Sequence, residues 1–446
     1  MTIDAGFLKI LKKEVAPHAF VSTLPVRPDM VFLDGQVLLM KANAITTWPV
    51  FLKVQFESKV RRSFETGADV VVLAFDDYTY VPRSKTMTQS KRNKVQPAME
   101  FSEEDELPAY MPAEWMSAMR NRTFKVKVIR KVIIEMKEWF AELAASDPYW
   151  AQRSLVIDFH DMPEVVGRAL PDARVPEYCK TEEFAGRGEC DVKAYSWMPV
   201  SRCLLIDSID GDYVPLTLLQ QELQRYSVTM PDCMQTDNQA TENVCNTWLR
   251  RMVTNVGGAK RKASDVSDAS GTSRRREYEF VNINTIYEQL ERVMPSTVQS
   301  PIRQFCSLVA MCGCDFAMSL PRMGPSTLWN ERHHVRKLNL SDPTEMLRGL
   351  GVMYNHALVS RGTVPPQAAD ANSNLYALIL GRIKGNSKIS PKVKEALWTP
   401  ERAAAHTLNV AWTMLYWTQL QTCPDPHSQD FGYAKDKKGR TQFAHA

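Results

Sequence analysis

Seven carboxylates stand where their type and spacing could do chemistry. Asp34 ends the apolar run "MVFLD" and Asp76 follows "VVVLAF". Glu189 and Asp191 flank one residue in "GRGECDVKAY", Asp210 and Asp212 do the same in "IDSIDGD", and Asp315 lies in "MCGCDF". In an open parallel sheet, ligands bind outside the carboxyl ends of the strands, so acids placed just after such runs can converge on one spot. That many carboxylates in a partly buried cleft repel one another unless cations neutralise them. Oxygen donors suit hard ions, and one or two carboxylates per ion, with waters and substrate phosphates, is the usual arrangement for Mg²⁺, for which Mn²⁺ can substitute. A calcium loop fails on spacing: Asp207, Asp210 and Asp212 do not follow the D-x-D-x-D-G order, and no Glu closes a twelve-residue loop. Taken singly, an aspartate after a strand is a helix cap or turn former. Five such places, two of them acid-x-acid pairs, ask for another explanation.

The elements that must position these acids follow from the apolar patterning. Segments 30–40, 68–82, 153–160 and 201–212 each carry an apolar run that stops at an acid, the pattern of a strand buried on both faces. Segments 48–67 and 123–146 have helical spacing between them. Strand and helix in alternation predict an α/β fold with a mostly parallel sheet covered on both faces.

At 446 residues, 44% hydrophobic and 24% charged, the chain can bury a sizeable core, and no run reaches the roughly 18 apolar residues of a membrane span. Nine cysteines, an odd number with no signal peptide before them, read as reduced thiols of an intracellular protein. Cys312 and Cys314, with His333 and His334, lack zinc spacing and read as buried small thiols instead. A net charge of +4 decides nothing, but basic residues cluster at 83–94, 120–137 and 260–276. The Gly-, Ser- and charge-rich stretch 255–278 reads as a disordered basic linker. It divides an N-terminal part, 1–254, from its continuation at 279–340. Residues 341–446 read as a helical C-terminal region whose last residues fray.

The five acidic places, in this order, resemble the metal-binding carboxylates of the flap endonuclease and XPG-type 5′-nuclease superfamily. Two further stretches are similar to that family independently of the acids: "GFLKILKKEVAPHAF" at the N-terminus, and "LVAMCGCDFAMSLPRMGP", which resembles a Gly-Cys-Asp-Tyr stretch leading into the hairpin of a helix–two-turn–helix element. The resemblance spans residues 6–340 with gaps. It implies a PIN-like core, and hydrolysis of DNA phosphodiesters at 5′ flaps or ends by two Mg²⁺ ions held by Asp34, Asp76, Glu189, Asp191, Asp210, Asp212 and Asp315. It further implies that Lys85 and Arg92 contact the scissile phosphate as catalytic groups, with Arg83 and Lys91 beside them, and that 83–120 forms a helical arch. Arg322, Gly324 and Ser326 would hold backbone phosphate or a monovalent cation, and Met40 stands where the family has a tyrosine that stacks on a base. The pair Glu189 and Asp191 is Glu-x-Asp where the family has Glu-x-Glu, and the family's C-terminal sliding-clamp box is absent. "KRK" at 260–262 and "RRR" at 274–276 resemble a bipartite nuclear import signal, against which stands a nonspecific phosphate-binding arm. A monomer is expected, and Asp207, Asp77 and Asp158 read as bystanders in turns or behind the ligands. Two rivals remain: a 5′-to-3′ RNA exonuclease of the same superfamily, and an inactive nucleic-acid-binding scaffold, which would have no reason to keep so much acid repulsion.

Overall fold

In the computed structural model the described residues are 5–40, 47–76, 99–159, 163–176, 190–208, 211, 213–229, 244–253, 277–294, 299–313 and 324–340. Beyond these come 342, 345–346, 349, 353, 407–414, 433–435 and 441–443. The main sheet is built from β1 (Phe20–Val21), β2 (Met30–Asp34), β3 (Val70–Ala74), β4 (Ser154–Asp158), β5 (Glu164–Gly167), β6 (Cys203–Asp207), β7 (Asn246–Val253) and β8 (Glu277–Asn282). Its order is β1-β8-β7-β6-β2-β3-β4-β5. The pairs β7/β6, β6/β2, β2/β3 and β3/β4 are parallel, while β5, β8 and β1 join antiparallel at the two edges. The expected mostly parallel α/β sheet is therefore what the chain forms.

The helices are α1 (Ala5–Ile10), α2 (Gly35–Leu39), α3 (Trp48–Phe51), α4 (Ser58–Glu65), α5 (Trp115–Ala118), α6 (Arg122–Ser146), α7 (Pro148–Ala151), α8 (Cys190–Trp197), α9 (Tyr213–Thr229), α10 (Ile283–Val293), α11 (Pro301–Met311) and α12 (Pro325–Glu331). Among the described residues no helix is long and apolar enough to cross a membrane. The long α6 begins on Asn121, whose side chain accepts the Phe124 N–H and so satisfies one of the free donors of the first turn.

Strand side chains alternate between faces, and each face has its own core. Phe32, Val72, Val156, Leu204 and Ile206 pack with Trp197 of α8, Leu218 of α9, Phe305 of α11 and Trp329 of α12. Val31, Leu33, Val71, Leu73, Ile157 and Leu205 pack on the other face against Phe51, Phe56, Phe64, Phe124, Phe140 and Trp150 from α3–α7.

Three expectations need correction. The described part of the supposed arch, 99–120, contains only the four-residue α5 as helix and is packed onto the second core through Met111, Trp115 and Met119. Its acidic run is tied to α6: the Lys127 ammonium donates to the Glu103 and Asp105 carbonyls, and Asp105 accepts from the Ser102 N–H and hydroxyl. The end of the supposed linker is already strand, because β8 starts at Glu277. The tail expected to fray carries β9 (Tyr433–Lys435) paired antiparallel with β10 (Thr441–Phe443), although the expected helix is present at 407–414. Arg83, Lys85, Lys91 and Arg92 lie outside the described residues, as does the segment 260–276.

Candidate functional site

The chain runs β2, β3, β4 toward one edge and then returns to place β6 on the far side of β2. That reversal makes the gap beyond the carboxyl ends of β2 and β6 the topological switch point, where open α/β sheets bind ligands. Register decides which side chains reach it. Asp34 pairs with Ala74, which pairs with Asp158, and Leu33 pairs with Asp207. Ser208 therefore lies beside Asp34, and Ser208, Asp34, Ala74 and Asp158 form one rung whose side chains share the face of Phe32, Val156 and Ile206. Asp207 is one residue out of phase and points to the opposite face.

Asp34 caps a helix with one oxygen and spans the switch point with the other. Its Oδ1 accepts the Val37 N–H at 3.1 Å and so caps α2. Its Oδ2 accepts from the Ser208 hydroxyl at 3.0 Å and the Tyr213 hydroxyl at 3.3 Å, across the switch point. Gly35 lets this happen: a Cβ there would stand 2.5 Å from the Ala74 carbonyl oxygen, so only glycine allows α2 to start so close to β3.

Asp76, two residues past β3, accepts the Cys190 N–H at 3.0 Å, and the Cys190 thiol donates to the Ala74 carbonyl at 3.3 Å. These contacts set the first turn of α8 against the end of β3. Burial, then Asp76 and Asp34, push the Cys190 thiol well above its usual range. Burial, then Asp34, Cys190 and Asp191, do the same to the Tyr213 phenol, so both groups stay protonated and Tyr213 acts as a donor to Asp34. The same electrostatic neighbourhood thus contains Asp34, Asp76 and Asp191.

Asp158 is fully buried on this rung. It is paired with the Lys193 ammonium at 3.0 Å, and its other oxygen accepts from the Trp197 indole at 3.2 Å. Asp207, on the opposite face, is ion-paired with Arg250, its register partner on β7. Asp158 and Asp207, read from the sequence as bystanders, are each engaged in an ion pair; the sequence did not point to Ser208, Tyr213 or Lys193. A serine and a tyrosine bracketing the Asp210–Asp212 pair were the only available signal.

Of the seven proposed ligands, Asp34, Asp76 and Asp191 lie among the described residues: Asp34 and Asp76 both act on the Cys190 thiol, and Asp34 and Asp191 on the Tyr213 phenol. Glu189, Asp210, Asp212 and Asp315 lie outside the described residues. In sequence, Glu189 directly precedes Cys190, Asp210 lies between Ser208 and Gly211, and Asp212 directly precedes Tyr213. Among the described residues no three His, Cys, Asp or Glu side chains form a metal site by themselves. The candidate donors are carboxylate oxygens, whose chemistry suits a hard divalent ion better than zinc or copper. Met40, the C-cap of α2, is partly buried against the second core. Gly324 precedes α12 with open space around it, Ser326 is exposed, and Arg322 is outside the described residues. His333 and His334 are both exposed, and His334 lies 3.5 Å from Glu331.

No protein-family model matches the chain, and no curated protein matches it. Among solved structures, the chain is similar to the catalytic core of Rad2 in complex with DNA substrate, at 10% identity over 93% of this chain and 96% of that one, with a TM-score of 0.38. At that identity and TM-score the likeness transfers neither residues nor activity.

Proposed function

We propose that the chain is a divalent-metal-dependent 5′ nuclease acting on DNA flaps or ends, as its sequence resemblance implies. The observation that supports the reading is Asp34 held across the switch point by Ser208 and Tyr213, with Asp76 fastened to Cys190 and Asp191 acting on the Tyr213 phenol; Glu189 and Asp212 directly adjoin Cys190 and Tyr213 in sequence.

In this reading the acids hold Mg²⁺, or Mn²⁺ in its place, and the bound ions supply Lewis-acid stabilisation of the charge that builds on the phosphate and the leaving 3′-oxygen. The protein's own groups do the rest. Ser208 and Tyr213 hold the Asp34 carboxylate in one orientation, and Tyr213 stays neutral so that it donates instead of repelling. The Cys190 N–H orients Asp76. Lys85 and Arg92 would offset charge on the scissile phosphate, while Arg83, Lys91, Arg322, Gly324 and Ser326 would grip the backbone without reading bases.

A 5′-labelled flap substrate with Mg²⁺ tests the reading: wild type cleaves, and the double change Asp210→Ala with Asp212→Ala lowers the rate by three orders of magnitude or more. Equal cleavage by both proteins would sink it. A matched RNA flap in the same assay separates the DNA nuclease from an RNA exonuclease, and absence of cleavage on either points to a binding scaffold.

A further inference from the structure

The mechanism above leaves the most deeply buried ion pair among the described residues unused. Lys193 and Asp158 each keep 1% side-chain exposure, so neither is a surface charge that drifted inward. A buried pair is weak evidence for stability, since an apolar pair of similar size often does as well. Its position suggests another use. Cys190, Lys193 and Trp197 stand at i, i+3 and i+7 on α8 and therefore line one helix face. All three fasten to the ends of β3 and β4: Cys190 to Asp76 and Ala74, Lys193 to the Asp158 carboxylate and to its carbonyl at 3.2 Å, and Trp197 to the other Asp158 oxygen.

Asp191 follows Cys190 by one residue, about 100° around the helix, and so lies off that anchored side, close enough to Tyr213 to act on its phenol. Its direction depends on the rotation of α8, and α8 has only eight residues with which to resist turning. The middle anchor is Lys193, whose stem is long enough to reach Asp158 from the helix axis.

We propose that Lys193 is a positioning residue for the acid cluster: by pinning α8 to Asp158 at the end of β4, it sets the rotation that aims Asp191 at the shared corner. This inference rests on the divalent-metal reading. Lys193 touches neither substrate nor ion and acts through Asp191. Its charge also lies close to the Cys190 thiol, within reach of the same group of acids, and so offsets part of their repulsion from inside the protein.

The test is Mn²⁺ binding, read by the free-ion EPR signal, together with kcat and KM on a 5′-labelled flap. Lys193→Met alone leaves a buried, uncompensated Asp158 and can fail to fold, so the deciding protein is the double variant Lys193→Met with Asp158→Asn. That pair is neutral and of similar volume, and the asparagine oxygen still accepts from Trp197. The double variant is expected to fold, to bind Mn²⁺ at least about 10-fold more weakly than wild type, as loss of a residue orienting a ligand does, and to lose kcat with an unchanged KM for DNA. Unchanged Mn²⁺ affinity and kcat would overturn the proposal while leaving the nuclease reading intact. A double variant that cannot fold would also overturn it, because the pair would then be holding the fold and not aiming Asp191. A wild-type protein that binds no Mn²⁺ overturns the metal reading itself and this inference with it.

Discussion

Asp207→Asn gives a sharp test of the face assignment, because Asp207 sits in the same acidic run as Asp210 and Asp212 yet points to the other side of the sheet. Its carboxylate is ion-paired with Arg250, and the two side chains keep only 14% and 11% exposure. Removing one member of a buried pair costs about 3–5 kcal/mol because the other charge is left uncompensated. Asparagine retains an oxygen that can accept from the guanidinium, so the expected loss is about 2–3 kcal/mol. At about 2–4 °C per kcal/mol for a domain of this size, the melting temperature falls by roughly 4–12 °C. Mn²⁺ affinity and flap cleavage below the melt stay within about twofold of wild type, since nothing on the acid face changes. The assays are a thermal melt by circular dichroism, a Mn²⁺ titration and a flap-cleavage time course. An Asp207→Asn protein with a wild-type melt but abolished metal binding would refute the register argument, since it would place Asp207 among the ligands.

Gly35→Ala puts a methyl group 2.5 Å from the Ala74 carbonyl oxygen and 2.6 Å from the Phe75 ring, and should cost about 1–3 kcal/mol by overpacking, read as a lower urea midpoint. It should also weaken Mn²⁺ binding, because α2 cannot move without carrying Asp34. Stability should fall as pH rises above about 9. Burial holds the Cys190 and Cys306 thiols and the Tyr213 phenol protonated well above their usual ranges and pushes Cys203 up to about 12, whereas the unfolded chain loses those protons near about 8.5–10. The folded state then binds more protons than the unfolded one, so unfolding is favoured with each step of alkali, and below the thiol range these groups contribute no slope. Urea midpoints from pH 7 to 10.5 check this, and Cys306→Ala should flatten the slope. Lys127→Met should free the acidic run at 102–106, seen as faster amide exchange there, with at most about 1 kcal/mol lost overall, as the ammonium is partly exposed.

Four of the five strands that pair in parallel were legible because a strand buried on both faces must be apolar at every position, and "MVFLD", "VVVLA", "SLVID" and "CLLID" are nearly that. The acids at their ends were legible for the same reason: a charge terminating such a run is conspicuous. β7 was not, since "NTWLRRMV" carries two arginines, and Arg250 is tolerated only because Asp207 is placed beside it by a pairing forty-three residues away. Nor could composition separate Asp34 from Asp207, which differ by one residue of register and hence by a whole face. Asp158 ends its strand as Asp34 does and would qualify as a ligand by pattern alone. A lysine thirty-five residues away claims it, and no local signal marks that lysine as buried. The acidic run at 102–106 is held by Lys127 through two of its backbone carbonyls, a contact that no local pattern marks.

The central claim is that Asp34, Asp76 and Asp191 jointly face a divalent cation at the switch point. Mn²⁺ binding to wild type and to the triple variant Asp34→Asn, Asp76→Asn and Asp191→Asn measures it most directly. The three asparagines preserve size and hydrogen-bond acceptors, so folding should survive while the charge that attracts the ion is lost. Saturable binding by wild type and an affinity at least a hundredfold weaker in the variant is the predicted result. Equal binding by the two proteins, or none by wild type, would contradict it.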